Sequence, residues 1–232
     1  FTGARGIAVN QSEYIYVVDE YNYRIQVYNP DNSFAFEFGS YGTADGQFQQ
    51  PFDIAVNSTG DMYVLDFGGE RVHVFDQFGA YQLQWGSSGT GNGQFNNPEC
   101  LAINGSDYVY VSDRDNQRIQ VFYSDGAYHS EWSTSSYGNP TGIAINRTGH
   151  VYVYFDGPDT VVVYDQFGNE QYSWGVSGAG VGEIDFVRDL TINMTGHVFL
   201  GDTNNEKILV FDQTGNFQTE KLNVDAYDIT IN

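Results

Sequence analysis

Five asparagines sit in the context that lets a side-chain amide accept an N-linked sugar. Asn10-Gln11-Ser12, Asn57-Ser58-Thr59, Asn104-Gly105-Ser106, Asn146-Arg147-Thr148 and Asn193-Met194-Thr195 each carry a hydroxyl two residues after the amide, with no proline between. Asn139-Pro140-Thr141 is barred by its proline. The same segments also suit a tight turn, in which asparagine leads and glycine follows. A turn alone should hold the glycine hardest. Yet Gly60, Gly149 and Gly196 give way to Glu13 and Asp107, while the hydroxyl persists in all five. That ordering favours sugar acceptance, and covalent glycans imply a secreted, extracellular or cell-surface glycoprotein.

Carboxylates form a second set. Asp53, Asp189 and Asp228 each open a short apolar run that ends in asparagine, and Glu99 stands one residue ahead of the corresponding place. If these runs converge, the acids suit a hard cation such as Ca²⁺. Arg5 and Arg188, also one residue ahead, are placed to neutralise them instead. No other cofactor is indicated. His73, His129, His150 and His197 share no common position that would make a metal or catalytic set. The single cysteine, Cys100, excludes an internal disulfide and reads as a small buried residue. The expectation is a protein that is not an enzyme.

The runs themselves are the first strands of a repeat. GIAVN, DIAVN, CLAIN, GIAIN, DLTIN and DITIN begin at residues 6, 53, 100, 142, 189 and 228. A turn and a second run follow each of the first five, as in YIYVVD or YVYVSD, then a third such as RIQVY or RVHVF, then a fourth such as YQLQW. Short stretches rich in Val, Ile and aromatics, bounded by Gly, Asn and Asp, are strands. Four per repeat make a propeller blade. The turn before the fourth strand aligns Gly79, Gly126, Gly168 and Gly215 with Asn32, the residue types that tolerate positive φ.

Asp19, Asp66, Asp113 and Asp202 end the second strand, and Arg24, Arg71, Arg118 and Lys207 follow five residues later. The fourth repeat has Phe155 and Thr160 at these places, so acid and base are lost together. Joint loss argues for an ion pair across the loop between the second and third strands, with a structural role.

With these residues in view, the chain resembles the NHL-repeat family. Gly46-Gln47-Phe48 through Pro51, Gly93-Gln94-Phe95 through Pro98, and DRDNQRIQVF from Asp113 to Phe122 carry the likeness. It extends over the whole chain, weakest in the fourth repeat and in the shortened lead-ins to the fourth and sixth. The resemblance implies a propeller, in this family often of six blades. It also brings to mind propeller lyases with metal-binding histidines, which the scattered histidines here do not match.

The expected fold is all-β: one domain over residues 1–232, with five complete blades and the first strand of a sixth. The strands that would finish the sixth precede Phe1, follow Asn232 or come from another copy, and the chain reads as an excerpt of a longer polypeptide. Its 30 acidic and 9 basic residues, net −21, disfavour nucleic acid. No apolar run approaches 18 residues, so no membrane insertion is expected. The function expected is a non-enzymatic extracellular binding or structural module, whose partners are other copies, adjacent domains and its glycans. The alternatives are an intracellular protein-interaction propeller and a metal-dependent lyase.

Overall fold

The structure, a computed structural model, describes residues 2–222. Each repeat folds into one antiparallel sheet whose four strands lie in chain order. In the first blade these are β1 (Ala4–Val9), β2 (Ile15–Asp19), β3 (Arg24–Tyr28) and β4 (Phe34–Phe38). The other blades span residues 51–85, 98–133, 140–174 and 187–222, and open with the inner strands β5 (Pro51–Val56), β9 (Pro98–Ile103), β13 (Pro140–Ile145) and β17 (Val187–Ile192). The chain is thus an all-β propeller of five four-stranded blades. Asp228 and the rest of the sixth-repeat strand lie outside the described residues.

The strand sequences explain the stacking. The second and third strands are apolar on both faces, so each middle blade must be covered from two sides. Tyr16, Val18, Ile25 and Val27 of blade 1 meet Ile54, Met62, Val64 and Phe75 of blade 2. The opposite face of blade 2, with Tyr63, Leu65 and Val72, packs on Val109, Val111 and Phe122 of blade 3. Two further cores join blades 3 to 4 and 4 to 5. Among the described residues, four cores therefore link five blades, and none joins blade 5 back to blade 1. Phe199, Ile208 and Val210 of blade 5 remain half-exposed, whereas their counterparts Tyr152, Val161 and Val163 in blade 4 are buried.

The aligned turn before each fourth strand needs φ > 0, and Gly79, Gly126, Gly168, Gly215 and Asn32 all have it, between +65° and +87°. A second constraint acts on the glycines. A Cβ on Gly126 would lie 2.6 Å from Trp85, and one on Gly168 2.6 Å from Trp132, aromatics that end the fourth strand of the preceding blade. Blade 1 has no preceding blade among the described residues, and there asparagine is accommodated.

Up-and-down strand order gives the disc two distinct faces. The turns carrying Asn10, Asn57, Asn104, Asn146 and Asn193 lie on one, the turn face. The loops leading into each blade and those after each second strand lie on the other, the loop face.

Candidate functional site

On the loop face the inner strands open around the axis into a cup. Each inner strand begins with a register shift against its neighbour. Such bulges turn two successive side chains towards the axis, where regular pleating would turn one. The outer tier is Arg5, Phe52, Glu99, Thr141 and Arg188; the inner tier is Gly6, Asp53, Cys100 and Asp189, with Arg114, Asp156 and Phe186 at the side. Asp53 and Asp189 are thus brought together as the repeat alignment implies.

The charges in this cup bind one another. Asp53 accepts 2.7 Å hydrogen bonds from the backbone N–H groups of Ile54 and Leu101. Burial, reinforced by the charge of Asp189, nevertheless pushes its carboxyl up to about 7. Arg5 lies 3.4 Å over the ring of Phe52 and 3.4 Å from Glu20. Arg114 reaches Asp115 at 2.9 Å, Glu99 at 3.3 Å and Asp156 at 3.8 Å. Burial drives the Cys100 thiol well up, which disfavours the reactive thiolate. No three His, Cys, Asp or Glu groups gather in a metal-binding arrangement among the described residues.

The ion pairs lie outside the cup and hold loops. Asp19–Arg24, Asp66–Arg71, Asp113–Arg118 and Asp202–Lys207 stand at 2.9, 3.2, 2.7 and 4.0 Å. The acids accept hydrogen bonds from the segment leading into their own blade: Thr2 to Asp19, Gln49 and Gln50 to Asp66, Asn96 to Asp113, Asp185 to Asp202. The bases donate to carbonyls of that same lead-in loop. Arg118 reaches Thr90, Gly91 and Gln94; Arg71 reaches Thr43 and Gln47; Lys207 reaches Gly180. Acid and base together form a clamp on the Gly-rich loop.

Blade 4 explains its own exception. Its lead-in is only residues 134–139, so there is no Gly-rich loop to grip. Phe155, in the place of the acid, packs on Tyr137 of that short loop at 5.5 Å between ring centroids. The buried Asp159 instead accepts hydrogen bonds from Tyr154 and from Ser177 of the next lead-in. Partner strength also tunes the acids. Hydrogen bonds from Thr2, Asn22, Arg24 and Gln26 overcome burial and hold Asp19 down to about 2, whereas burial prevails at Asp202 and raises it.

The five sequon asparagines share one geometry. Each Oδ1 accepts the backbone N–H two and four residues on, an Asx turn. Thr59, Thr148 and Thr195 add a 2.8 Å bond from their hydroxyls to the same Oδ1. Ser12 and Ser106 make no such bond among the described residues. Glu13 and Asp107, in the glycine position, adopt φ of 62° and 60°. His150 and His197 bond Thr148 and Thr195 within their turns, and His73 is buried in blade 2.

The NHL repeat pattern matches residues 1–28 and 95–122, the start of the chain through blade 1's third strand and the clamped heart of blade 3. The chain is an NHL-repeat propeller. No curated protein matches its sequence. Among solved structures, this NHL propeller superposes on a chain of a nidogen–laminin complex with TM-score 0.76, 14% identity, and coverage of 97% of this chain and 83% of the other. Virginiamycin B lyase from Staphylococcus aureus gives 0.71, 13%, 98% and 73%. A gluconolactonase from Xanthomonas campestris gives 0.72, 14%, 99% and 79%. At such identities the likeness is one of fold.

Proposed function

We propose that this NHL propeller is a non-enzymatic binding and structural module that works outside the cell, carries N-linked glycans on its turn face and belongs to a larger assembly. The observation that carries the reading is the behaviour of the five sequon turns. Asn Oδ1 closes every turn through two backbone N–H groups, so the turn is complete without the third-position hydroxyl. Ser12 and Ser106 keep that hydroxyl although it does not bond the turn asparagine, and their turns accept left-handed Glu13 and Asp107 in place of glycine. A hydroxyl held without a turn role fits the acceptor requirement of N-glycosylation.

Two further features support the module reading. The charged groups of the cup neutralise one another rather than stand ready for a substrate. The half-exposed apolar residues on the free face of blade 5 are the kind that further polypeptide covers. Intact mass of natively produced protein, before and after deglycosylation, with peptide mapping, tests the proposal. Sugar increments at Asn10, Asn57, Asn104, Asn146 and Asn193 are the expected result; a bare polypeptide mass contradicts it.

A further inference from the structure

The clamp of blade 1 is built but holds no Gly-rich loop. Its parts are those of blade 3: Asp19 for Asp113, Asn22 for Asn116, Arg24 for Arg118 and Gln26 for Gln120. In blade 3 every part is engaged by the lead-in. Asn116 donates to Gly89, Arg118 to three carbonyls, and Gln120 both donates to Gln94 and accepts from Gly93. In blade 1, among the described residues, Arg24 donates only to Asp19 and Glu37. Its side chain is 31% exposed, against 9% for Arg118 and 2% for Lys207.

The sheet face beside this clamp is also uncovered. Ile15 is half-buried, whereas its blade 2 counterpart Met62 is fully buried, covered by blade 1. In blades 2 and 3 the anchor of each gripped loop is a phenylalanine, Phe48 or Phe95, fully buried at the blade junction. Each such loop is closed on itself by a parallel bridge, Tyr41 with Phe48 or Ser88 with Phe95. Blade 5 grips a third loop of the same form, closed by Ser177 with Ile184. All three of these loops are occupied within their own blades, so a second copy of the described chain has none to offer blade 1.

We propose that the open edge of blade 1 is a docking site for the Gly-x-Gly-Gln-Phe loop of a neighbouring NHL-type repeat, supplied by another polypeptide segment. Arg24 and Asn22 take the loop carbonyls, and the loop phenylalanine covers the face next to Gln26. The choice of occupant rests on identity of receptor: the same four side-chain types, in the same register, hold that loop in blade 3. Asn32 stands where other blades place the glycine beneath an incoming aromatic, so the loop, and not the end of the strand before it, is the recognised part. This deepens the assembly reading and rests on it by naming the chemistry of the partner.

The probe is a synthetic peptide of residues 86–97, GSSGTGNGQFNN, titrated into the full isotope-labelled chain while the Arg24 Nε–H and Gln26 side-chain signals are followed by NMR. Saturable shifts of both signals are expected. Arg24→Ala should weaken binding at least tenfold. A peptide carrying alanine in place of Gln94 and Phe95 should weaken it equally, an arm that leaves the protein unaltered should Arg24→Ala fold poorly. Absence of saturable shifts, or binding insensitive to both changes, overturns the proposal. Either result leaves the glycan masses untouched, so failure here is distinct from failure of the extracellular reading.

Discussion

On the turn face one four-residue Asx turn is built five times, from Asn10 to Asn193, with the same two backbone bonds each time. On the loop face no two blades are dressed alike: blade 3 grips a long Gly-rich loop with Asp113 and Arg118, blade 4 has neither loop nor pair, and blade 1 has the pair without such a loop. The irregular face shows that the ion pair follows the loop it serves, since blade 4 lost all three together. The regular face shows a demand placed on every repeat regardless of what its loops do. Folding explains the asparagine in that demand through the Asx turn. It does not explain the serine hydroxyls, and that residue of the pattern is where we assign function.

The largest effect should come from the loop face. Asp113 is buried and receives Arg118, Asn116, Gln120 and the Asn96 N–H. Asp113→Ala strands a buried guanidinium and is expected to cost about 3–5 kcal/mol in denaturant unfolding, whereas Arg24→Ala, half-exposed in blade 1, should cost about 1 kcal/mol or less. Equal costs would break the account of the clamp as a loop holder.

Next comes a change on the turn face that is structural rather than functional. Gly126→Ala meets both positive φ and Trp85, and should lose about 2–3 kcal/mol; Asn32→Gly, at the same position in blade 1, should change stability by less than about 0.5 kcal/mol. The cup adds a pH-dependent term of similar size. The folded carboxyl of Asp53 titrates near 7, above its unfolded value, so the native state holds its proton longer and wild type loses stability as pH rises from about 4 to 7. Asp53→Asn removes that loss: relative to wild type it should gain about 2 kcal/mol between pH 4 and pH 8. A flat difference across that range would contradict the buried-carboxylate reading.

Much of this was legible in the chain. The repeat, the four strands per blade and the aligned turns followed from periodicity and from Gly or Asn at a fixed place. The clamp partners were visible because Phe155 and Thr160 replace acid and base together. What they clamp was not read, although the shortened lead-in of the same repeat carried the signal. The cup was read only in part, because alternation assigns one residue per pair to the axis, and the bulge that opens each inner strand assigns two. Arg5, Phe52, Glu99, Thr141 and Arg188 share one aligned position, and that alignment would have revealed the outer tier. Arg114 and Asp156 reach the cup from the loops after their second strands, beyond what inner-strand alignment could show.

The smallest expected stability effects decide the most. Thr148→Ala removes a hydroxyl that bonds Asn146 and should cost about 1 kcal/mol. Ser12→Ala with Ser106→Ala removes hydroxyls that do not bond their turn asparagines, and should leave the unfolding midpoint unchanged. The central test is therefore the intact mass of that double variant, produced in the native host beside wild type. A mass lower by two glycans is the predicted result. Two masses differing only by two hydroxyl oxygens would mean that the hydroxyls were not kept for sugar, and would contradict the assignment of the turn face as a glycosylated surface.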